Sequence, residues 1–193
     1  AVLGSPSVRL PALIYVNAKM DKNRSIADQM CFVGEDIDCM VASLSAAAED
    51  VGSPLVPRNL LDFITTAFPL DSTVLRREHF VQLLRRCLFV VLRRDMSLNR
   101  RLFTWLLNPA GVSGSVSSVP VGDDLLDTSF FSRTALPLIV DALAEYLELD
   151  MVEIPVPTST YFPSATVSKE VEQQQFVEVR VCRLLSYLQD RPE

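Results

Sequence analysis

One histidine, eight clustered arginines, four scattered cysteines and a short acidic run are the residues of this 193-residue chain whose types could do chemistry. His79 follows Arg76, Arg77 and Glu78. A general base must be tied to a nucleophile or a held water, and no motif in the chain supplies one, so His79 reads as a surface or interhelical residue. The acidic run Glu35, Asp36 and Asp38 lacks the glycine and the further ligands of a calcium loop, and reads as the start of a helix. Cys31, Cys39, Cys87 and Cys182 form no C-x-x-C pair and are too widely spaced for a zinc site. In stretches rich in Leu and Val they read as buried thiols of a reducing cytosol. Neither a phosphate-cradling glycine loop nor G-x-S-x-G occurs. These residues predict no catalytic, cofactor-binding or metal-ligating set, and therefore no enzyme.

The arginines are different, because their spacing is regular. Between Arg76 and Arg101 they fall in four adjacent pairs, opposed only by Glu78 and Asp95, so this stretch carries +6 and the remainder −12. Adjacent residues on a helix point about 100° apart, so one of each pair can face water while the other packs or pairs. Two readings stand. In one, Arg85, Arg86, Arg93, Arg94, Arg100 and Arg101 form a basic surface for an acidic protein segment or anionic lipid headgroups. In the other, they pair with acidic helices of neighbouring repeats, such as those bearing Asp62 or Asp141. Guanidinium groups suit both. An overall charge of −6 argues against nucleic acid as the partner.

The elements that position these residues recur. Five apolar pentads with an aromatic fourth residue begin at Ala12, Leu60, Leu102, Leu143 and Leu184, at spacings of 48, 42, 41 and 41. That period is the mark of stacked helical repeats of the HEAT and armadillo kind, each of which covers its neighbour's apolar stripe. The aromatic positions are Tyr15, Phe63, Trp105, Tyr146 and Tyr187, and Trp105 reads as core. With 49% apolar residues the chain can build a continuous all-α core.

Cap and breaker signals predict helices over 5–19, a short stretch after Ser25, 37–48, 55–68, 72–94, 96–107, 135–149 and 167–189. Asp36 and Asp95 stand at N-terminal ends, and Pro54 and Pro57 fall where a missing amide costs little. Residues 109–122 and 151–166 read as flexible loops. No run approaches the roughly 18 apolar residues of a membrane span. The whole, residues 1–193, is expected to be one helical-repeat domain, and the opening at Ala1 reads as that of a fragment of a much larger protein.

Leu88-Phe-Val-Val-Leu-Arg-Arg-Asp-Met-Ser-Leu-Asn-Arg-Arg-Leu-Phe-Thr-Trp-Leu-Leu107, with Arg9-Leu-Pro-Ala-Leu-Ile-Tyr-Val16 upstream, resembles the N-terminal domain of the Dopey family. Gly34 to Asp38 and Val56 to Asp62 fit the same family in the same order, and the likeness covers about residues 8–108. The resemblance implies a cytosolic, non-enzymatic scaffold, peripheral on Golgi and endosomal membranes, acting in endosome–Golgi traffic. It implies as partners a Mon-class scaffold resembling Arf exchange factors, a phospholipid flippase and motor proteins. It carries no catalytic residues onto this chain. Direct docking to anionic membrane lipid through the arginine-rich helices is the alternative.

Overall fold

The computed structural model describes residues 5–21, 24, 26–32, 34, 36–50, 52–107, 130–153 and 178–186. Among them every regular element is helical. Helix α1 spans Pro6–Lys19; α2 spans Ile26–Gln29 and runs on as a 3₁₀ turn, Met30–Phe32; α3 spans Ile37–Ala48 and α4 Leu55–Ala67. Helix α5, Arg77–Cys87, continues as a 3₁₀ stretch, Leu88–Arg93, and α6 spans Met96–Leu107. A π turn, Phe131–Ala135, leads into α7, Leu136–Glu153, and residues 178–186 form α8.

Local chemistry sets most of these ends. Asp36 accepts from the amide of Cys39 at 2.9 Å, and Asp95 from those of Ser97 and Leu98 at 2.8 and 3.3 Å, satisfying donors that a helix start leaves free. Pro6 opens α1, and Pro54 stands at the cap of α4.

Packing sorts the helices into two layers. In one, α1 packs on α4 and α4 on α6; in the other, α3 packs on α5 and α5 on α7, with α3 crossing to touch α4. Neighbours within a layer run parallel. Along α4 and α6, Arg58 meets Asp95 near the two starts, Asp62 meets Arg101 midway, and the Phe68 carbonyl meets Trp105 near the two ends. Two layers of parallel helices, advancing one repeat per step, are a HEAT/armadillo-like solenoid. Its core is continuous from Leu13 through Leu60, Phe63, Leu84 and Trp105 to Tyr146 and Leu184.

The structure corrects four expectations. The central helix is not one α-helix over 72–94: the α-helical part covers Arg77–Cys87, and the chain then tightens to three residues per turn. That stretch buries Leu88, Phe89, Val90 and Val91 together and sets Phe89 against Tyr146, with ring centroids 4.3 Å apart. The pentads are less regular in space than in sequence. Phe63, Trp105 and Tyr146 are buried, but Tyr15 is 55% exposed, because Leu13 takes the inward position on α1. The pentad at Leu143 lies on α7, in the other layer from those on α1, α4 and α6. Helix α7 also runs to Glu153, so the loop expected at 151–166 does not begin at 151. The rest of that loop, the loop at 109–122, the first half of the 167–189 helix, Ser25, Glu35 and Tyr187 lie outside the described residues.

Finally, Cys87 alone of the four cysteines is buried. Burial, reinforced by the negative charge of Glu49, pushes its thiol up to about 12. Because the thiolate is the reactive form, a disulfide-exchange reagent is expected to titrate Cys31, Cys39 and Cys182 in the native protein and Cys87 only after denaturant. Four fast thiols under native conditions would contradict the packing of α5.

Candidate interaction surface

The stacking brings charged residues one repeat apart into contact. Within a layer most polar ties have sequence separations of 37 to 45 residues, close to the spacing of the pentads, and the tie from α5 to α7 spans 64. Most donors are arginines of the basic stretch. The Arg101 guanidinium donates to Asp62 at 2.7 Å and to the Ser97 carbonyl at 3.0 Å. Arg77 donates twice to Asp141, at 3.0 and 2.5 Å, bridging α5 to α7. Arg86 donates to Glu49 at 2.9 Å. Arg93 reaches back to α3 and donates to the carbonyls of Asp50 and Ala48 at 2.7 and 3.1 Å. Ala48 is the last residue of α3 and Asp50 lies two beyond it, at the end where a helix leaves carbonyls unpaired and its dipole favours a cation. Arg85 is buried in α5, with 7% of its surface exposed.

His79 belongs to the same lattice of ties. Its Nδ1 accepts from the Arg76 amide at 3.2 Å, which leaves Nε2 to donate to Asp38 of α3 at 2.8 Å. The ring is buried and joins two repeats. Trp105, likewise interior, donates its indole N–H to the Phe68 carbonyl at 2.8 Å.

Two carboxylates are held ionised by their partners. The Arg58 guanidinium, 2.6 Å away, holds the Asp95 carboxyl down at about 2 against partial desolvation, with the amides of Ser97 and Leu98 contributing. Burial pushes the Asp50 carboxyl up, but Arg9 at 2.9 Å and the amides of Ser53 and Gly52 outweigh it, leaving the group below its usual range. A carboxyl lowered in the folded state contributes stability that is full above its unfolded value, about 3.9. That contribution is lost as pH falls. Stability is therefore expected to decline between about pH 4 and pH 2, and Asp95→Asn and Asp50→Asn each to flatten that decline in urea melts taken across the range. An unchanged slope in both variants would show that neither pairing matters to folding.

Arg94 and Arg100 remain outside these ties. Both are exposed, and the side chain of neither bonds to a described residue. Arg94 is also the one non-glycine described residue with positive φ, at 55°. A left-handed conformation costs an L-residue roughly 1–2 kcal/mol, and glycine would take it more readily. Arg100 lines a surface groove of about 590 Å³ formed across α1, α4 and α6 with Asn17, Asn59, Asp62, Arg101 and Thr104. Of the six arginines expected at a contact surface, the structure thus places Arg85 inside, fixes Arg86, Arg93 and Arg101 to neighbouring helices, and leaves Arg94 and Arg100 facing solvent. Asn17 and Asn59 were not singled out from sequence. Their separation of 42 residues, the pentad spacing itself, was the available signal.

Among the described residues no three potential ligands come together to hold a metal, and no helix is long and apolar enough to cross a membrane. A two-layer stack joined by cross-repeat ties, with a groove on one face, defines a helical-repeat protein. Residues 1–111 match the family description "Dopey, N-terminal", and the chain belongs to the Dopey family. It is 58% identical over 195 residues to protein pad-1 of Caenorhabditis elegans and 32% identical over 205 residues to protein DOP1B of Mus musculus. Each alignment covers 100% of this chain and 8% of the relative. Protein DOP1 of Saccharomyces cerevisiae is 39% identical over 126 residues, covering 58% of this chain and 7% of the yeast protein. The chain thus spans less than a tenth of the length of these relatives. No solved structure matches it.

Proposed function

We propose that this chain is a non-enzymatic scaffold segment acting in endosome–Golgi membrane traffic, engaging protein partners through the surface of its helical stack. Membership of the Dopey family supports the setting. The partners it implies are a Mon-class scaffold, a phospholipid flippase and motor proteins, with the chain peripheral on Golgi and endosomal membranes. The observation that carries the surface is the division among the arginines. Six of the eight side chains are buried or bonded to other described groups, whereas those of Arg94 and Arg100 are exposed with no such bond. In a left-handed position that glycine fits better, the Arg94 side chain adds no bond to the stack and projects into solvent, where an acidic ligand can meet it. Acidic segments of partner proteins are the chemistry it suits.

The test is capture of the endosome–Golgi machinery from cytosol at physiological salt by the parent and by an Arg94→Glu/Arg100→Glu variant of unchanged melting behaviour. Retention by the parent and loss by the variant is expected. Equal capture by both would remove these two arginines from the surface. Arg93→Glu does not serve, because it breaks the tie to α3.

A second reading, docking to anionic lipid, has one supporting observation: Met96, 65% exposed, lies two residues from Arg94. An apolar side chain beside a cation is what a membrane interface accepts. Binding to phosphatidylserine vesicles that vanishes as salt is raised supports this reading, since the Debye length is already about 8 Å at physiological ionic strength.

A further inference from the structure

Helix α7 is apolar on two adjoining faces. One face buries Leu138, Ala142 and Tyr146 against the body of the stack. On the other, Leu136, Val140 and Leu147 are 43%, 56% and 40% exposed. Their spacings of four and seven residues place them in one stripe along the helix, centred about 140° from the middle of the buried set. Scattered exposed leucines are ordinary, but a continuous exposed stripe beyond a core face is the pattern of a helix covered on more than one side. Helix α5 shows that arrangement within this molecule, with α3 against one flank and α7 against the other.

We infer that this stripe seats one further helix of the α3–α5–α7 layer, running parallel to α7 and supplied by a following repeat of a longer chain. Two observations select that occupant. The layer already repeats the same parallel step twice, and α7 offers for a third step the kind of surface that α5 offers for the second. The relatives are long enough to supply it, since this chain spans 8% of their length. The incoming helix therefore carries an apolar stripe of its own that meets Leu136, Val140 and Leu147.

The experiment compares the 193-residue chain with a longer natural chain that continues past residue 193. Val140→Cys is introduced into both, and maleimide labelling is followed by peptide mass spectrometry, with exposed Cys39 as the internal reference. In the short chain the new thiol is expected to label as fast as Cys39. In the longer chain it is expected to label at least about tenfold more slowly, because labelling then requires local opening. Equal labelling in the two chains overturns the inference. So does a concentration-dependent dimer of the short chain abolished by Val140→Glu, which would assign the stripe to a second copy. Should the cysteine variant of the longer chain fail to fold, amide exchange over residues 136–147 in the two unmodified chains gives the same comparison. Protection that rises only in the longer chain supports the inference, and protection that does not rise overturns it.

Discussion

Replacing Trp105 with alanine is expected to cost about 4 kcal/mol of unfolding free energy, the scale found when a large buried aromatic is truncated. The side chain is 1% exposed and lies where α6 meets α4, close to the edge-to-face pair of Phe63 and Phe68. Neither layer can close over the space it would leave, because the positions of α4 and α6 are fixed at both ends by Arg58–Asp95 and by the Phe68 turn. Trp105→Phe separates two contributions. It keeps most of the buried surface but removes the N–H that the Phe68 carbonyl accepts, so a loss of about 1–2 kcal/mol is expected from that group alone. Urea melts followed by far-ultraviolet circular dichroism give both numbers without relying on the missing indole's fluorescence. A loss below about 1 kcal/mol for the alanine variant would mean that the interface between repeats is not part of a continuous core.

How much of this was legible in the sequence depends on whether the cause is local. The starts of α3 and α6 were, because Asp36 and Asp95 cap them through amides two and three residues away. The all-α stack was, because a pentad recurring every forty-odd residues leaves a helix face that only a neighbour can cover. The same pentads misplaced a layer. Leu143 follows Leu102 by the regular interval, yet the stretch between α6 and α7 is long enough that α7 pairs with α5 instead. Spacing along the chain records how often a helix comes, not which side of the stack it joins. The buried reading of the cysteines failed for a related reason. Cys39 and Cys182 lie on helices whose apolar residues face inward while they themselves face out, and only burial in three dimensions separates them from Cys87.

The ion pairs were half legible. Asp62 and Asp141 could be named as partners for arginines from the charge pattern, and both are found paired, with Arg101 and Arg77. Which arginines those partners would leave over was not readable, since it depends on where the 3₁₀ stretch ends. A tighter helix turns residues through 120° rather than 100°, so six residues at that pitch shift the direction of each following side chain. Arg93 is thereby brought to the end of α3, and the chain then leaves through a left-handed residue at Arg94. Two adjacent residues of one type have been given different work by a change of helical pitch upstream.

Arg93→Ala and Arg94→Ala are therefore expected to behave oppositely. Arg93 spans two repeats, and its guanidinium supplies both a cation at the end of the α3 dipole and donors to two carbonyls. Removing it leaves the Ala48 and Asp50 carbonyls without that donor beside the nearly buried Asp50–Arg9 pair, and a loss of about 3 kcal/mol is expected. Arg94→Ala deletes an exposed side chain with no bonded partner among the described residues and should change stability by no more than about 0.5 kcal/mol. Arg94→Gly removes the left-handed strain and should raise stability by up to about 1 kcal/mol. In partner binding the order reverses. Both substitutions at Arg94 should weaken capture in a protein that melts normally, and Arg93→Ala should weaken it only in proportion to the fraction unfolded. If instead Arg93→Ala melts like the parent, water satisfies the α3 carbonyls and the repeats are held by apolar packing alone. If Arg94→Gly destabilises the protein, the side chain makes an internal contact, and the case for an outward role at that position is lost.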